Sequence, residues 1–134
     1  MDKSKQPGIN FDGIILVGEE FWRNHNVPSD SKIDLKVQAS NNIIDNKATV
    51  EITSILRLVH EAKDVLSLES RFVGLFSVVD GDENMGIEDY IQNNSPALMF
   101  PYIREHISTI TGKAGIKPIL LPPVNLLSIL NKEN

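Results

Sequence analysis

The hydrophobic pattern of this chain changes its period once, near residue 80, and this change limits the folds that are open to it. Before that point the apolar residues tend to recur at every second position, which is typical of β-strands. After it they recur every three or four positions, which is typical of a helix. Strands followed by helices predict an α+β domain, in which helices cover one face of an antiparallel sheet.

Four segments have strand character, and they comprise residues 13–22, 32–39, 48–59 and 65–79. The second segment alternates polar and apolar residues without a break, which predicts a strand with one wet face. The third and fourth segments become apolar on both sides in their later halves. One long and one short helix can cover only one face of a four-stranded sheet. We therefore expect apolar surface to remain for oligomerisation or for binding another chain, unless a curled edge or a loop covers it.

The helical part of the chain begins, by its capping signals, at Ser95-Pro96. From there an apolar stripe recurs at helical spacing, and its members are Met99, Ile103, His106, Ile107 and Ile110. Gly112 is a typical C-terminal stop. The prolines that follow predict an extended segment, after which Asn125 caps a short last helix over residues 126–130.

Composition restricts the compartment and the partners. The chain has 134 residues, with 13 Lys and Arg against 18 Asp and Glu, and therefore a formal net charge of −5. This acidic balance disfavours nucleic acid as a partner, because phosphate binding depends on Lys and Arg. The first residues lack an apolar signal region, and no apolar run is long enough to span a bilayer, so we expect a cytoplasmic protein without membrane insertion. We expect residues 1–12 to be a flexible lead-in and residues 13–134 to be a single domain.

No motif in the sequence predicts catalysis, a metal or a cofactor. The chain has no cysteine, which excludes disulfides and thiolate metal sites. Residues 80–84 resemble the start of a calcium loop, but Met85 stands where that loop needs glycine. Residues 111–115 resemble a phosphate loop, but Ala114 stands where Ser or Thr must hold magnesium. The three histidines have no metal-ligand spacing. We therefore expect a protein that is not an enzyme.

Two proline motifs at a defined distance give the chain a resemblance to a known family. The first is Met99-Phe100-Pro101-Tyr102, followed by Arg104-Glu105, and the second is Pro123-Val124-Asn125. Gly74-Leu75-Phe76 adds a glycine–x–phenylalanine motif on the last strand. These motifs resemble those of the SecB family of bacterial export chaperones, and the specific similarity spans residues 95–108 and 115–125.

The resemblance implies a four-stranded antiparallel sheet with two helices, assembled as a homotetramer that is a dimer of dimers. It also implies binding of unfolded or precursor polypeptides in apolar grooves, without ATP. Carried over by position, the helix residues at the tetramer interface would be Leu98, Met99, Tyr102, Ile103 and His106. The residues that border the client groove would be Leu121, Val124, Leu126, Leu127 and Leu130. On this placement, Ile103→Asp should split the tetramer into dimers.

The resemblance is weaker at the surface by which export chaperones dock the motor protein SecA. That surface is an acidic patch on the outer sheet face, and Glu69 falls at the position of its last-strand acid. Trp22 falls at the position of the first-strand acid, with Glu19 and Glu20 nearby.

Three hypotheses follow. The leading one is a general holdase for protein export. The alternative is a dedicated chaperone or interaction protein for a single partner, such as an antitoxin, without delivery to SecA. A small-molecule enzyme on the same scaffold would need a pocket of converging polar groups, which the sequence does not indicate.

Overall fold

The computed structural model describes residues 8–78 and 86–122, and within these ranges it contains one sheet and one long helix. The elements are β1 (Ile9–Arg23), β2 (Lys32–Ile44), β3 (Lys47–His60), β4 (Lys63–Val78) and α1 (Ile87–Lys113). The four strands form an antiparallel sheet in the order β1-β4-β3-β2. The predicted α+β class is therefore confirmed. The predicted last helix, residues 126–130, lies outside the described residues.

The core lies between α1 and one face of the sheet, which we term the inner face. α1 packs across β1, β4 and β3. From Leu66 to Phe76 in β4, and along β3, the even-numbered side chains point to this face, because successive side chains of a strand alternate between faces. The helix contributes residues at every fourth position, and these buried residues are Ile91, Ser95, Met99, Ile103, Ile107 and Thr111.

The helix begins at Ile87 and not at the predicted start, Ser95. Ser95 is a buried member of the helix stripe, and its Oγ donates a hydrogen bond of 2.5 Å to the backbone oxygen of Ile91. A serine that bonds back to the preceding turn can lie inside a helix, so the Ser-Pro pair was the wrong start signal. The observed first turn contains Glu88 and Asp89, whose charge the positive end of the helix dipole favours.

The strands are longer than the sequence predicts. β1 begins at Ile9, so residues 9–12 belong to the sheet and not to a flexible lead-in. β2 continues past residue 39 and turns directly into β3, since Ile44 pairs with Lys47. β3 and β4 are joined by the two-residue turn Glu61-Ala62, in which φ is 51° and 64°. Such a tight turn requires this left-handed conformation at both residues.

β1 contains two bulges, and each reverses the alternation of its side chains. The register between β1 and β4 skips Asp12 and later Val17. Because side chains alternate with a period of two residues, each extra residue exchanges the faces of all residues that follow it. After the second bulge the odd-numbered residues face inward, so Glu19 lies on the inner face and Glu20 on the outer face.

Candidate functional site

The connection from β1 to β2 forms one wall of an apolar groove. Because β1 and β2 are opposite edges of the sheet, residues 24–31 must cross the ends of the two strands between them. Residues 115–120, which follow α1 without regular structure, form the second wall. The space between the walls has a volume of about 460 Å³, and we term it the crossover groove. Its apolar lining includes Val27, Pro28, Ile33, Leu58, Ile116 and Leu120.

The rim of the crossover groove exposes aliphatic surface to solvent. Leu120 is 72% exposed and Ile33 is 54% exposed. Deeper in the groove, Val27 and Ile116 are partly buried and pack against the core, while Leu58 is buried. The groove therefore continues the hydrophobic core outward to a rim that nothing in the described part of the chain covers.

Arg23, the last residue of β1, connects the two walls of the groove. Its Nε and Nη2 donate hydrogen bonds of 2.8 Å to the backbone oxygens of Asn24 and His25, at the start of the crossover. Its Nη1 donates to the backbone oxygen of Ala114, immediately after α1. A guanidinium presents several donors in a fixed planar arrangement, so it can hold all three carbonyls together. One side chain therefore fixes the start of each wall relative to the other.

Two further side chains hold the second wall against the helix. Thr111 is fully buried, and its Oγ1 accepts a hydrogen bond of 2.9 Å from the backbone nitrogen of Ile119. The same hydroxyl donates to the backbone oxygen of Ile107 at 2.7 Å. Arg104 donates from Nε to the backbone oxygen of Leu121 at 2.5 Å. The bonds to Ile119 and Leu121 give partners to backbone groups that have none in a helix or sheet, so the wall is fixed before any ligand binds.

One of the five predicted client-groove residues lies in the described ranges. Leu121 is buried, at 7% exposure, and faces away from solvent. The other four lie outside the described residues, and they are Val124, Leu126, Leu127 and Leu130. Leu120, between the buried Ile119 and Leu121, is an exposed groove residue that was not predicted. In an extended segment neighbouring side chains point in opposite directions, so the run of three aliphatic residues already indicated that one of them is exposed.

The five helix residues predicted at a tetramer interface point in different directions. Met99 and Ile103 are at most 2% exposed, and they pack in the chain's own core. Leu98 is partly buried, the side chain of His106 is 17% exposed, and Tyr102 is 49% exposed. The interface therefore stays a prediction, with Tyr102 as the residue that offers the most surface. Ile103→Asp would place a charge in the core of a single chain, so this substitution does not test assembly.

The three glutamates predicted to form an acidic docking patch lie on different faces of the sheet. Glu20 is directly opposite Glu69 in the register of β1 and β4, on the outer face. Glu19 is on the inner face, where its Oε1 contacts Nε2 of His106 and accepts a hydrogen bond of 3.4 Å from Oγ of Ser70. The structure thus brings Glu20 and Glu69 together and separates Glu19 from them. Like charges directly opposite each other in a sheet repel, so this pair favours a cationic partner.

β1 exposes large apolar side chains along an edge of the sheet. Five of its residues are between 41% and 50% exposed, and they are Ile15, Leu16, Val17, Phe21 and Trp22. An edge strand also presents backbone groups that can pair with another chain. The later halves of β3 and β4, where we expected uncovered apolar surface, are instead partly buried on their outer side. The main apolar surface of the described residues therefore lies on β1.

The remaining observations concern metals and membranes. Among residues 8–78 and 86–122, no group of three or more His, Asp or Glu side chains is placed to hold a metal ion. No helix within those ranges has both the length and the hydropathy that crossing a membrane requires. Three surfaces of the described structure are thus candidates for function: the crossover groove, the apolar edge strand β1 and the pair Glu20 and Glu69.

Comparison with known proteins gives a family and several relatives. Residues 17–134 match the profile of the family described as "Preprotein translocase subunit SecB". An uncharacterized protein of Methanocaldococcus jannaschii is 32% identical over 136 residues, which cover 97% of this chain and 87% of that protein. The protein-export proteins SecB of Nitrosomonas eutropha and Nitrosomonas europaea are 32% and 30% identical over 107 residues. Each of these two matches covers 76% of this chain and 65% of the relative, so the chain spans about two thirds of their length.

A solved structure has a similar fold. It is the SecB-like chaperone of Mycobacterium tuberculosis in complex with a ChAD peptide from the HigA1 antitoxin. The TM-score is 0.75 at 21% sequence identity, and the match covers 87% of this chain and 91% of that chain. At this level of identity the likeness shows a shared fold.

Proposed function

The chain belongs to the SecB family, and on that basis we propose that it is a chaperone that binds unfolded polypeptides in the crossover groove. In the proposed holdase function, binding itself prevents aggregation, without ATP and without catalysis. The observation that carries the proposal is an apolar groove with fixed walls, whose rim exposes Leu120 and Ile33. We propose that the protein acts in the cytoplasm on precursors for export.

The energetics of such a groove fit a holdase. An extended client segment that buries ~500 Å² of apolar surface gains about 12 kcal/mol before any cost is subtracted. Ordering the backbone of ~10 residues costs ~1 kcal/mol or more for each residue. The net free energy of binding at one groove is then a few kcal/mol. Several grooves in one oligomer can hold a single chain much more tightly, because the later contacts become intramolecular.

Suppression of aggregation tests the function. The protein should slow the aggregation of several unrelated denatured proteins, monitored by light scattering. Leu120→Ser should weaken this effect, because it removes exposed aliphatic surface from the groove. Ile44→Ser is the matched control, since Ile44 is 62% exposed but lies at the turn between β2 and β3, outside the groove. A wild-type protein that leaves aggregation unchanged would overturn the proposal.

We also propose that the protein assembles as a homotetramer, a dimer of dimers. The exposed apolar residues of β1, which lie on both faces of the sheet edge, and the half-exposed Tyr102 on α1 support this, because further copies could cover them. Native mass spectrometry should detect four chains, and Tyr102→Asp should yield dimers. Ile44→Asp, which introduces the same charge at an exposed apolar site away from α1, should leave four chains. A wild-type protein with the mass of one chain would contradict the proposal.

For delivery of clients, we propose that Glu20 and Glu69 contact SecA. The support is their position directly opposite each other on the outer face. Reversing both charges, with Glu20→Lys and Glu69→Lys, should weaken binding to purified SecA in a pull-down. Glu105→Lys, on the exposed side of α1, should leave binding unchanged. If the double variant binds SecA as well as the wild type does, Glu20 and Glu69 are not part of the contact.

A dedicated chaperone for one partner is a second candidate function. The structural neighbour was solved with a peptide from an antitoxin, and only two of the three predicted docking acids share a face in this chain. The range of clients distinguishes the two functions. A general holdase protects several unrelated unfolded proteins, whereas a dedicated chaperone protects a single partner.

A further inference from the structure

We propose that the crossover groove selects extended client segments that combine aliphatic side chains with a carboxylate placed near Lys117. The inference rests on the proposed function and names the chemistry of the segment that the groove takes. It differs from what the net charge of −5 indicates, since an acidic protein attracts basic chains at long range.

The apolar part of this preference comes from the composition of the lining. In the described structure the apolar lining residues are aliphatic or proline, and none of them carries an aromatic ring. The groove therefore gains affinity by burying apolar area and has no ring with which a client ring could stack. Branched aliphatic side chains match such a surface, because they contribute to binding only by burying apolar area.

The preference for a carboxylate comes from one residue of the lining. Lys117 is the ionisable residue among the described residues that line the groove, and it is exposed in the second wall. Its side chain is exposed, so a ligand in the groove can reach its ammonium group, and within the described ranges it forms no ion pair. The nearby acid of the crossover, Asp30, does not line the groove, and its Oδ1 lies 3.3 Å from Nδ1 of His60.

At contact distance the charge of Lys117 outweighs the net negative charge of the protein. At physiological ionic strength, interactions between exposed charges are largely screened beyond ~8 Å. A carboxylate that enters the groove is therefore attracted mainly by Lys117, and the remote acids of the surface contribute little. The hydroxyl of Ser31 does not compete for that carboxylate as a donor, because Oγ already donates to the backbone oxygen of Pro28 at 2.6 Å.

Three matched peptides test the inference. They are ten residues long, rich in Leu and Val, and identical except for Glu, Gln or Lys at one central position. Their binding to the full chain is measured by competition with a fluorescent copy of the Glu peptide. We expect the Glu peptide to bind about two- to fivefold more tightly than the Gln peptide, the effect of one exposed ion pair. The Lys peptide should bind most weakly, and the differences should shrink in high salt.

Charge reversal at the groove assigns the effect to one residue. Lys117→Glu should invert the order of the three peptides. Lys36→Glu makes the same change in charge at an exposed residue on the outer face of β2, and it should leave the order unchanged. If all three peptides bind equally, or if Lys117→Glu does not alter their order, the inference is wrong while the proposed function stands. If none binds and aggregation is also not suppressed, both are wrong.

Discussion

Glu19 and His106 contact each other through Oε1 and Nε2, although 87 positions separate them in the sequence. The contact joins the bulged edge strand to the helix on the inner face of the sheet. The ring of His106 also meets the ring of Phe72 edge-on, with centroids 5.4 Å apart. Two residues that the resemblance assigned to different surfaces, one for docking and one for assembly, are therefore partners within a single chain.

We expect the Glu19–His106 contact to stabilise the fold through a measurable coupling. Glu19→Gln and His106→Ala should each lower the free energy of unfolding by about 1 kcal/mol, and the double variant should lose less than the sum of the two. A coupling of about 0.5–1 kcal/mol is expected for a half-buried polar contact. Urea unfolding of the four proteins measures it.

The neighbouring carboxylate provides the control for this coupling. Glu20→Gln changes the adjacent residue by the same chemistry, but on the outer face, where it relieves repulsion from Glu69. It should leave the stability unchanged or slightly raised. Additive losses in the double variant of Glu19 and His106 would contradict the contact.

Arg23 should control both the stability and the shape of the crossover groove. Arg23→Lys keeps the charge but cannot reach three carbonyls at once, so we expect unfolding to become easier by about 1–2 kcal/mol. Hydrogen exchange should increase in residues 115–120, and client peptides should bind more weakly. Arg57→Lys is the control, because Arg57 pairs with Asp34 and Asp64 on the outer face. Unchanged exchange in the Arg23 variant would show that the walls do not depend on it.

Thr111→Val should loosen the second wall with little change in volume. The substitution leaves the backbone N–H of Ile119 buried without its partner, and such a loss costs about 1–3 kcal/mol. Faster exchange of the Ile119 amide, measured by NMR, identifies the cause. Thr111→Ser keeps the hydroxyl and should keep that amide protected. Thr109→Val, which removes an exposed hydrogen bond to Glu105, should change the stability by less than about 0.5 kcal/mol.

Gly74→Ala should destabilise the packing of α1 on β4. A Cβ at this position would lie 2.7 Å from Sδ of Met99, so the fully buried Met99 side chain would have to shift within the core. Overpacking of this kind costs about 1–3 kcal/mol. Gly13→Ala is the matched control, since a Cβ there has no heavy atom within 4 Å, and it should not destabilise. Thermal unfolding compares the two, and equal stabilities would contradict the close approach.

The strand pattern and the class of fold were predictable because they depend on local signals. Alternation and helical spacing are properties of a few neighbouring residues, and they identified the four strands and the long helix. The start of the helix was not predictable in this way. Ser95 reads as a cap from its neighbours, and only the packing of the helix on the sheet shows that it continues the stripe from Ile91 to Met99.

The crossover groove could not be derived from periodicity. Its walls, residues 24–31 and 115–120, are far apart in the sequence and have no repeating pattern, and they meet because the order of strands requires a crossover. The sheet faces on which Glu19 and Glu20 lie could not be predicted for another reason, because the alternation of polar and apolar residues does not show a bulge. A signal was present, however, because Gly13 and Gly18 directly follow the two bulged residues, and glycine inside a strand often marks a bulge.

Val17, the second bulged residue of β1, determines which of the acids that follow it lies on the outer face of the sheet. If it paired in the ladder like its neighbours, the rest of the strand would shift by one residue, turning Glu19 outward and Glu20 beneath the helix. The number of residues before the acids, more than their identity, decides which carboxylate a partner meets. A gain or loss of one residue at this point could therefore exchange the docking chemistry of the sheet while every acid in the chain is retained.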